Sequence, residues 1–173
     1  MKKRLLAVLT TAMVISTFAG TTVLAEEPSN ETVCETTQAE VADDSAITFD
    51  LNQLVMYRRL PDGTRIRVSS PRIPLTEHII GPGETMEYYQ SDGSDFKLTR
   101  GQNVTFKATF NRRITFECGL TGAGYNEQLK YGAGASFSVS KSAPADGEYY
   151  FWITNYSVDD VTVKNGSINV ANY

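Results

Sequence analysis

The stretch GEYYFWITN, Gly147 to Asn155, decides how this chain folds. Successive side chains of an extended strand point to opposite faces. Tyr149, Phe151 and Ile153 therefore share one face, and Tyr150, Trp152 and Thr154 the other. With aromatics on both sides, one set fills a core and the other is either covered by more chain or presented to a ligand. The turn Pro144-Ala145-Asp146-Gly147 precedes the stretch and a Val-rich segment follows it, which is the place of an interior strand.

The same two-residue alternation recurs outward from this point. QLVMYRRL, TRIRVSS, ETMEYYQ, DFKLT, QNVTFKATF, RRITFECGL, ASFSVS, VTVK and SINV are strand candidates rich in Val, Ile, Thr, Phe and Tyr, and Pro and Gly separate them. Helical 3.6-residue periodicity is almost absent. The expected fold is all-β: a single antiparallel β-sandwich, jelly-roll-like, over residues 46–173, preceded by a disordered acidic segment.

Two hairpins can be registered from sequence. YRRLPDGTRIRV turns at Pro61-Asp62-Gly63 and pairs Arg58 with Ile66 and Met56 with Val68. Its other face gathers Tyr57, Arg59, Arg65 and Arg67. Like charges opposite one another destabilise a strand pair, so Arg59 facing Arg65 calls for an anion. The acidic N-terminal segment, an anionic polymer or an acidic partner would each supply one, and a solvated edge that discourages aggregation is the plain alternative. In VTVKNGSINV, Asn165-Gly166 suits a type I′ turn, giving a terminal hairpin. The alternative is one continuous strand with a bulge at Gly166.

The N-terminus begins with Lys2, Lys3 and Arg4, continues through an apolar run from Leu5 to about Phe18, and reaches small residues at Val23-Leu24-Ala25. This is the pattern of a signal peptide, residues 1–25, with cleavage expected after Ala25. Export to a secreted, extracellular location follows, with loose surface association as a variant and no membrane span after signal cleavage. The chain holds 16 basic and 20 acidic residues. Residues 26–45 carry Glu26, Glu27, Glu31, Glu35, Glu40, Asp43 and Asp44 without a base, so this segment reads as an acidic flexible tether. The remainder is balanced in charge, and nucleic acid is not an expected partner. Export permits a bridge between Cys34 and Cys118. Two independent thiols, with Cys118 a small core residue, is the equal alternative.

Few catalytic chemistries survive. His78 is the lone histidine, and no activating motif surrounds it or Cys118. Two cysteines and one histidine make no zinc motif, Asp92 and Asp95 lack EF-hand spacing, and the glycines of GLTGAGY are followed by Tyr125 rather than Lys. No metal and no cofactor is expected. A glycosidase using two carboxylates, with Glu117 or Glu148 among them, is the enzyme alternative. The segment GAGYNEQLKYGAG reads either as a mobile loop that carries Tyr125 and Tyr131 on its shoulders, suited to adaptable recognition, or as a long connection whose glycines simply permit positive φ.

The segments LTRGQNVTFKATF and PADGEYYFWITNYSVDDVTVKNGSINV, spanning residues 96–173, resemble the C-terminal half of small exported β-sandwich proteins of Gram-positive gut bacteria. The resemblance implies fold and export and brings no catalytic residues. The expected function is non-catalytic binding of an extracellular protein or glycan. Tyr57, Arg59, Arg65, Arg67, Tyr125, Tyr131, Tyr150 and Trp152 are the candidate contacts. A secreted structural or antagonistic protein acting on other cells, and a small glycan-active hydrolase, are the alternatives.

Overall fold

The computed structural model describes residues 46–69 and 75–171. The signal peptide, the tether and Cys34 lie outside the described residues. The described chain is an antiparallel β-structure, and the expected sandwich is what forms. Its strands are β1 (Ile47–Asp50), β2 (Val55–Arg59), β3 (Arg65–Arg67), β4 (His78–Ile80), β5 (Thr85–Tyr89), β6 (Phe96–Leu98), β7 (Asn103–Gly122), β8 (Tyr125–Ser142), β9 (Gly147–Asn155) and β10 (Val161–Val170). One 3-10 turn, Leu51–Gln53, follows β1. Asp50 caps it by accepting from the Asn52 amide at 2.9 Å. No helix of the described residues is long and apolar enough to cross a membrane.

The strands run in the order β1-β10-β7-β9-β5-β2-β3, with β4 on β10, β6 on β9 and β8 on β7. What curls this sheet into two layers is the long β7–β8 hairpin. The first half of β7 pairs with β10 (Val104↔Val170 to Phe110↔Val163), the second half with β9 (Phe116↔Asn155 to Gly122↔Tyr149). The register slips between Thr109 and Ile114, where the hairpin bends. Glu127 and Lys141 lie 14 positions apart on β8, a separation of about 46 Å in a straight strand. They nevertheless form an ion pair of 2.6 Å, so β8 doubles back and edges both layers.

The core fills the space between the layers. Phe106, Val161, Val163 and Ile168 face Phe116, Leu120, Phe151, Ile153, Met86 and Tyr88, all nearly inaccessible to solvent. Ring contacts stitch the layers: Phe106 meets Phe151 edge-on at 5.4 Å, and Phe116 stacks on Phe137 at 5.1 Å. Tyr149, Phe151 and Ile153 are wholly buried, so the core face of GEYYFWITN is the one expected. Cys118 is a free thiol in this core, and burial pushes its pKa up to about 12. It is an inert packing residue.

Three expectations are corrected. The Asn165-Gly166 hairpin does not form. Residues 161–170 are one strand, and a bulge between Val163 and Asn165 shifts the inward set from odd to even positions. Pairing decides against the turn: residues 163–170 run along β7 from Phe110 to Val104, and Gly166 lies against that strand. A Cβ at Gly166 would sit 2.4 Å from the Lys107 carbonyl oxygen and 2.5 Å from the Leu51 side chain. Gly166→Ala should therefore cost about 1–3 kcal/mol in urea unfolding. A cost below a few tenths would show that the bulge relaxes freely.

The GAGYNEQLKYGAG segment is not a loop either. Its turn is confined to Ala123 (φ 48°) and Gly124 (φ 80°), and β8 begins at once with Tyr125. Gly132 and Gly134 sit within a bent edge strand, where backbone pairing to β7 is maintained. Finally, β1 and β4, two short strands flanking β10, fall in ITFD and HII, which the alternation did not single out.

Candidate functional site

Strands β2, β5, β9, β7 and the start of β8 present one outer face. Antiparallel register lines up their side chains across it. One cross-strand row runs Tyr57–Glu87–Trp152–Gly119–Gln128, and the next runs Arg59–Thr85–Thr154–Glu117–Tyr131. A third joins Tyr150, Thr121 and Asn126. The face is hollowed into a groove of about 630 Å³. Tyr150, Trp152 and Tyr156 are its aromatic lining, and Thr85, Thr121, Asn126, Gln128 and Thr154 its neutral polar lining; Arg59, Glu87 and Glu117 complete it.

Trp152 occupies the middle. Its indole lies over Gly119: a Cβ there would come within 2.4 Å of the ring and 2.3 Å of the Glu127 carbonyl oxygen. The indole N–H donates to Thr121 Oγ1 at 3.1 Å, and Thr121 donates to Asn126 Oδ1 at 2.8 Å. The ring is half-buried and held in one orientation, with its remaining surface turned into the groove. The hydroxyls of Thr85 and Thr154 share a hydrogen bond of 2.8 Å beside it.

One wall is a stack of aromatic and guanidinium groups. Arg65 lies 3.8 Å over the Tyr57 ring and 5.0 Å over Tyr89. Tyr89 in turn stacks on Tyr150 at 5.1 Å. Beneath them Glu87 is 1% exposed. It accepts from Arg59, from Arg65 Nε at 2.7 Å and from the Tyr89 hydroxyl at 3.2 Å. Burial, then the neighbouring Glu87 charge, raises the Tyr89 hydroxyl above its ordinary pKa, keeping it a donor. The Arg59–Arg65 pairing predicted from the hairpin is present, and the anion it calls for is Glu87, one strand away in β5.

At the opposite end Tyr156 donates to Glu117 Oε2 at 2.9 Å and leans on Tyr131, ring centroids 6.1 Å apart. The fold thus brings Tyr57, Arg59, Arg65, Tyr150 and Trp152 onto one face and sets Tyr131 at its end. Arg67 turns away and donates to the Ser69 carbonyl at 3.0 Å. Tyr125 is exposed at the β7–β8 turn and lines no part of the groove. Glu148 is exposed on β9, paired by register with Lys97. Sequence reasoning missed Glu87, Tyr89 and Tyr156. Parity within ETMEYYQ, with Met86 and Tyr88 inward, places Thr85, Glu87 and Tyr89 together on the outer side. Among the described residues no three His, Cys, Asp or Glu side chains cluster as metal ligands.

No protein-family model and no curated protein matches this chain. Solved structures match at a distance. The CBM22-1–GH10 modules of Clostridium thermocellum endo-1,4-beta-D-xylanase 10B, complexed with xylohexaose, align at 12% identity and TM-score 0.44 over 75% of this chain. This chain spans 27% of that xylanase chain. The low-affinity xylan-binding module CBM86 of Roseburia intestinalis aligns at 10% identity and TM-score 0.44, over 72% of this chain and 93% of that one. The C-terminal CBM6 of LamC from Zobellia galactanivorans aligns at 11% identity and TM-score 0.38, over 73% and 99% respectively.

Proposed function

We propose that the protein is an exported, non-catalytic module that holds a glycan chain in the groove over Trp152, and that residues 1–25 and 26–45 serve as its signal peptide and tether. The observation that carries this reading is the oriented indole in the middle of a groove whose lining includes five neutral polar side chains, Thr85, Thr121, Asn126, Gln128 and Thr154. Sugar rings offer apolar C–H faces and a rim of hydroxyls. An aromatic platform ringed by Thr, Asn and Gln meets both needs: the ring covers the apolar face while the side-chain hydroxyls and amides replace water on the rim. Pre-setting the indole through Thr121 and Asn126 lowers the ordering cost of binding.

The two carboxylates in the groove do not favour hydrolysis. A glycosidase needs one carboxyl free to donate a proton and another free to attack or activate water. Both oxygens of Glu87 are engaged by two guanidinium groups and a phenol. That leaves Glu117 without a working partner and supports binding over cleavage.

The test is a glycan array followed by calorimetry on the hits. Trp152→Ala should lower affinity at least 30-fold, the equivalent of about 2 kcal/mol for a central aromatic contact, with the unfolding transition retained. Glycan binding that survives this substitution unchanged would sink the reading.

A further inference from the structure

The end of the groove at Glu117 differs in kind from its centre. Glu117 and Tyr131 are direct cross-strand partners, so their Cβ atoms are about 5 Å apart. Tyr156 reaches the same spot from the end of β9 and fixes one oxygen of Glu117 by a hydrogen bond of 2.9 Å. The two phenol rings are inclined at 60°, and their residues are 60% and 52% exposed. A carboxylate with one oxygen free of hydrogen bonds thus stands beside a pair of aromatic rings on an accessible surface.

Charge makes this spot selective. Lys and Arg partners are recorded for Glu77, Glu84, Glu87, Glu127 and Asp159, whereas Glu117 forms no ion pair among the described residues. Of the three charged groove-lining residues, Arg59 and Glu87 pair with each other. Glu117 is therefore the lining carboxylate that no cation neutralises, while the positive excess of Arg59 and Arg65 over Glu87 lies at the other end of the groove. Neutral sugar hydroxyls would not need it. A cation would gain from it twice: from the carboxylate, and from the negative faces of the flanking rings.

Resting on the glycan-binding reading, we infer that the Glu117–Tyr131–Tyr156 end of the groove is a seat for an ammonium group, so that the ligand class is a glycan bearing free amino sugars. A primary ammonium has the donors to use the open carboxylate oxygen and the compactness to sit against the two rings. Tyr156 acts as a positioning residue for the carboxylate as well as a contact. An N-acetylated sugar presents no charge here and forfeits both terms.

The experiment is calorimetry of the full-length chain with a β-1,4-linked glucosamine hexamer and its fully N-acetylated counterpart. The deacetylated hexamer should bind at least tenfold tighter. Glu117→Gln preserves an acceptor for Tyr156 and should erase that preference, bringing the affinities of the two hexamers within twofold of each other. Tyr131→Ala should reduce the preference in part. Equal affinity for the two hexamers, a preference retained by Glu117→Gln, or no binding of either hexamer would overturn the inference. Failure of the underlying reading has a different signature. If the amino-sugar preference depends on Glu117 but Trp152→Ala binds both hexamers like wild type, the ammonium seat stands and the Trp152 platform falls. If the acetylated hexamer binds through Trp152 with no preference for amines, the platform stands and the seat falls.

Discussion

Replacing Arg59 and Arg65 together by alanine should destabilise the domain by about 3–5 kcal/mol, the cost of leaving a buried charge without a partner. The figure follows from an asymmetry in burial. The two arginine side chains are 46% and 42% exposed, while Glu87 is 1% exposed. Water can solvate either guanidinium if the carboxylate is lost, but it cannot reach Glu87 if the guanidiniums are lost. Glu87→Gln alone should therefore cost only about 1 kcal/mol, because the freed arginines return to solvent and the amide can still accept from Tyr89. Adding Glu87→Gln to the double variant should recover most of its loss, a coupling that a sum of independent effects would not give. Urea denaturation of the four proteins measures all of this. A double variant no less stable than Glu87→Gln would mean that Glu87 has another source of compensation.

This cluster also marks where the sequence was readable and where it was not. The β2–β3 register was legible because a Pro-Asp-Gly turn fixes it locally, and local geometry then placed Arg59 opposite Arg65. The need for an anion followed from electrostatics alone. Its identity did not, because residues 60–84 separate β2 from β5 and no local rule selects that neighbour. The terminal segment teaches the opposite lesson. Asn165-Gly166 is a strong hairpin signal, yet the turn with both central φ values positive is Ala123–Gly124. Pairing with β7 at seven positions, with Val163, Ile168 and Val170 buried along it, outweighs the preference of one dipeptide. Likewise the first half of β8, ahead of the ASFSVS segment that reads as strand, was hidden because its glycines mimic a loop, and an edge strand paired on one side shows a weak alternation.

For the site, alternation in GEYYFWITN separated Trp152 and Tyr150 from the core correctly. What it could not supply was Gly119, whose missing side chain makes the seat for the indole. A glycine in a strand reads as a weakness or a bulge. Only the register of β7 against β9 turns it into the seat of the groove's central indole. Tyr156 was out of reach for a related reason: it lies just beyond the strand, and its backbone N–H donates to the Thr115 carbonyl at 2.9 Å, which brings its ring back over the groove.

Acid should weaken the fold through His78. The ring is 4% exposed on β4, packed edge-on against Tyr88 and hydrogen-bonded to its hydroxyl at 2.8 Å. Burial lowers its pKa to about 4 from an ordinary value of 6.5. The unfolded chain takes up this proton as pH falls through 6.5, whereas the folded chain resists until near pH 4. Between those values the unfolded state binds more protons, so stability rises with pH, and the contribution is complete above 6.5 and lost on descending towards 4. At 1.36 kcal/mol per pKa unit the loss is about 3 kcal/mol. Tyr88 does not compensate: its own burial holds the hydroxyl well above its ordinary pKa, so it cannot become an anion that would welcome the imidazolium. His78→Gln keeps a partner for Tyr88 and removes the titration. Its unfolding free energy, measured at intervals from pH 7 to pH 4, should fall less steeply than that of the wild type by up to 1.4 kcal/mol per pH unit. Parallel curves for the two proteins would show that the His78 proton is not coupled to folding.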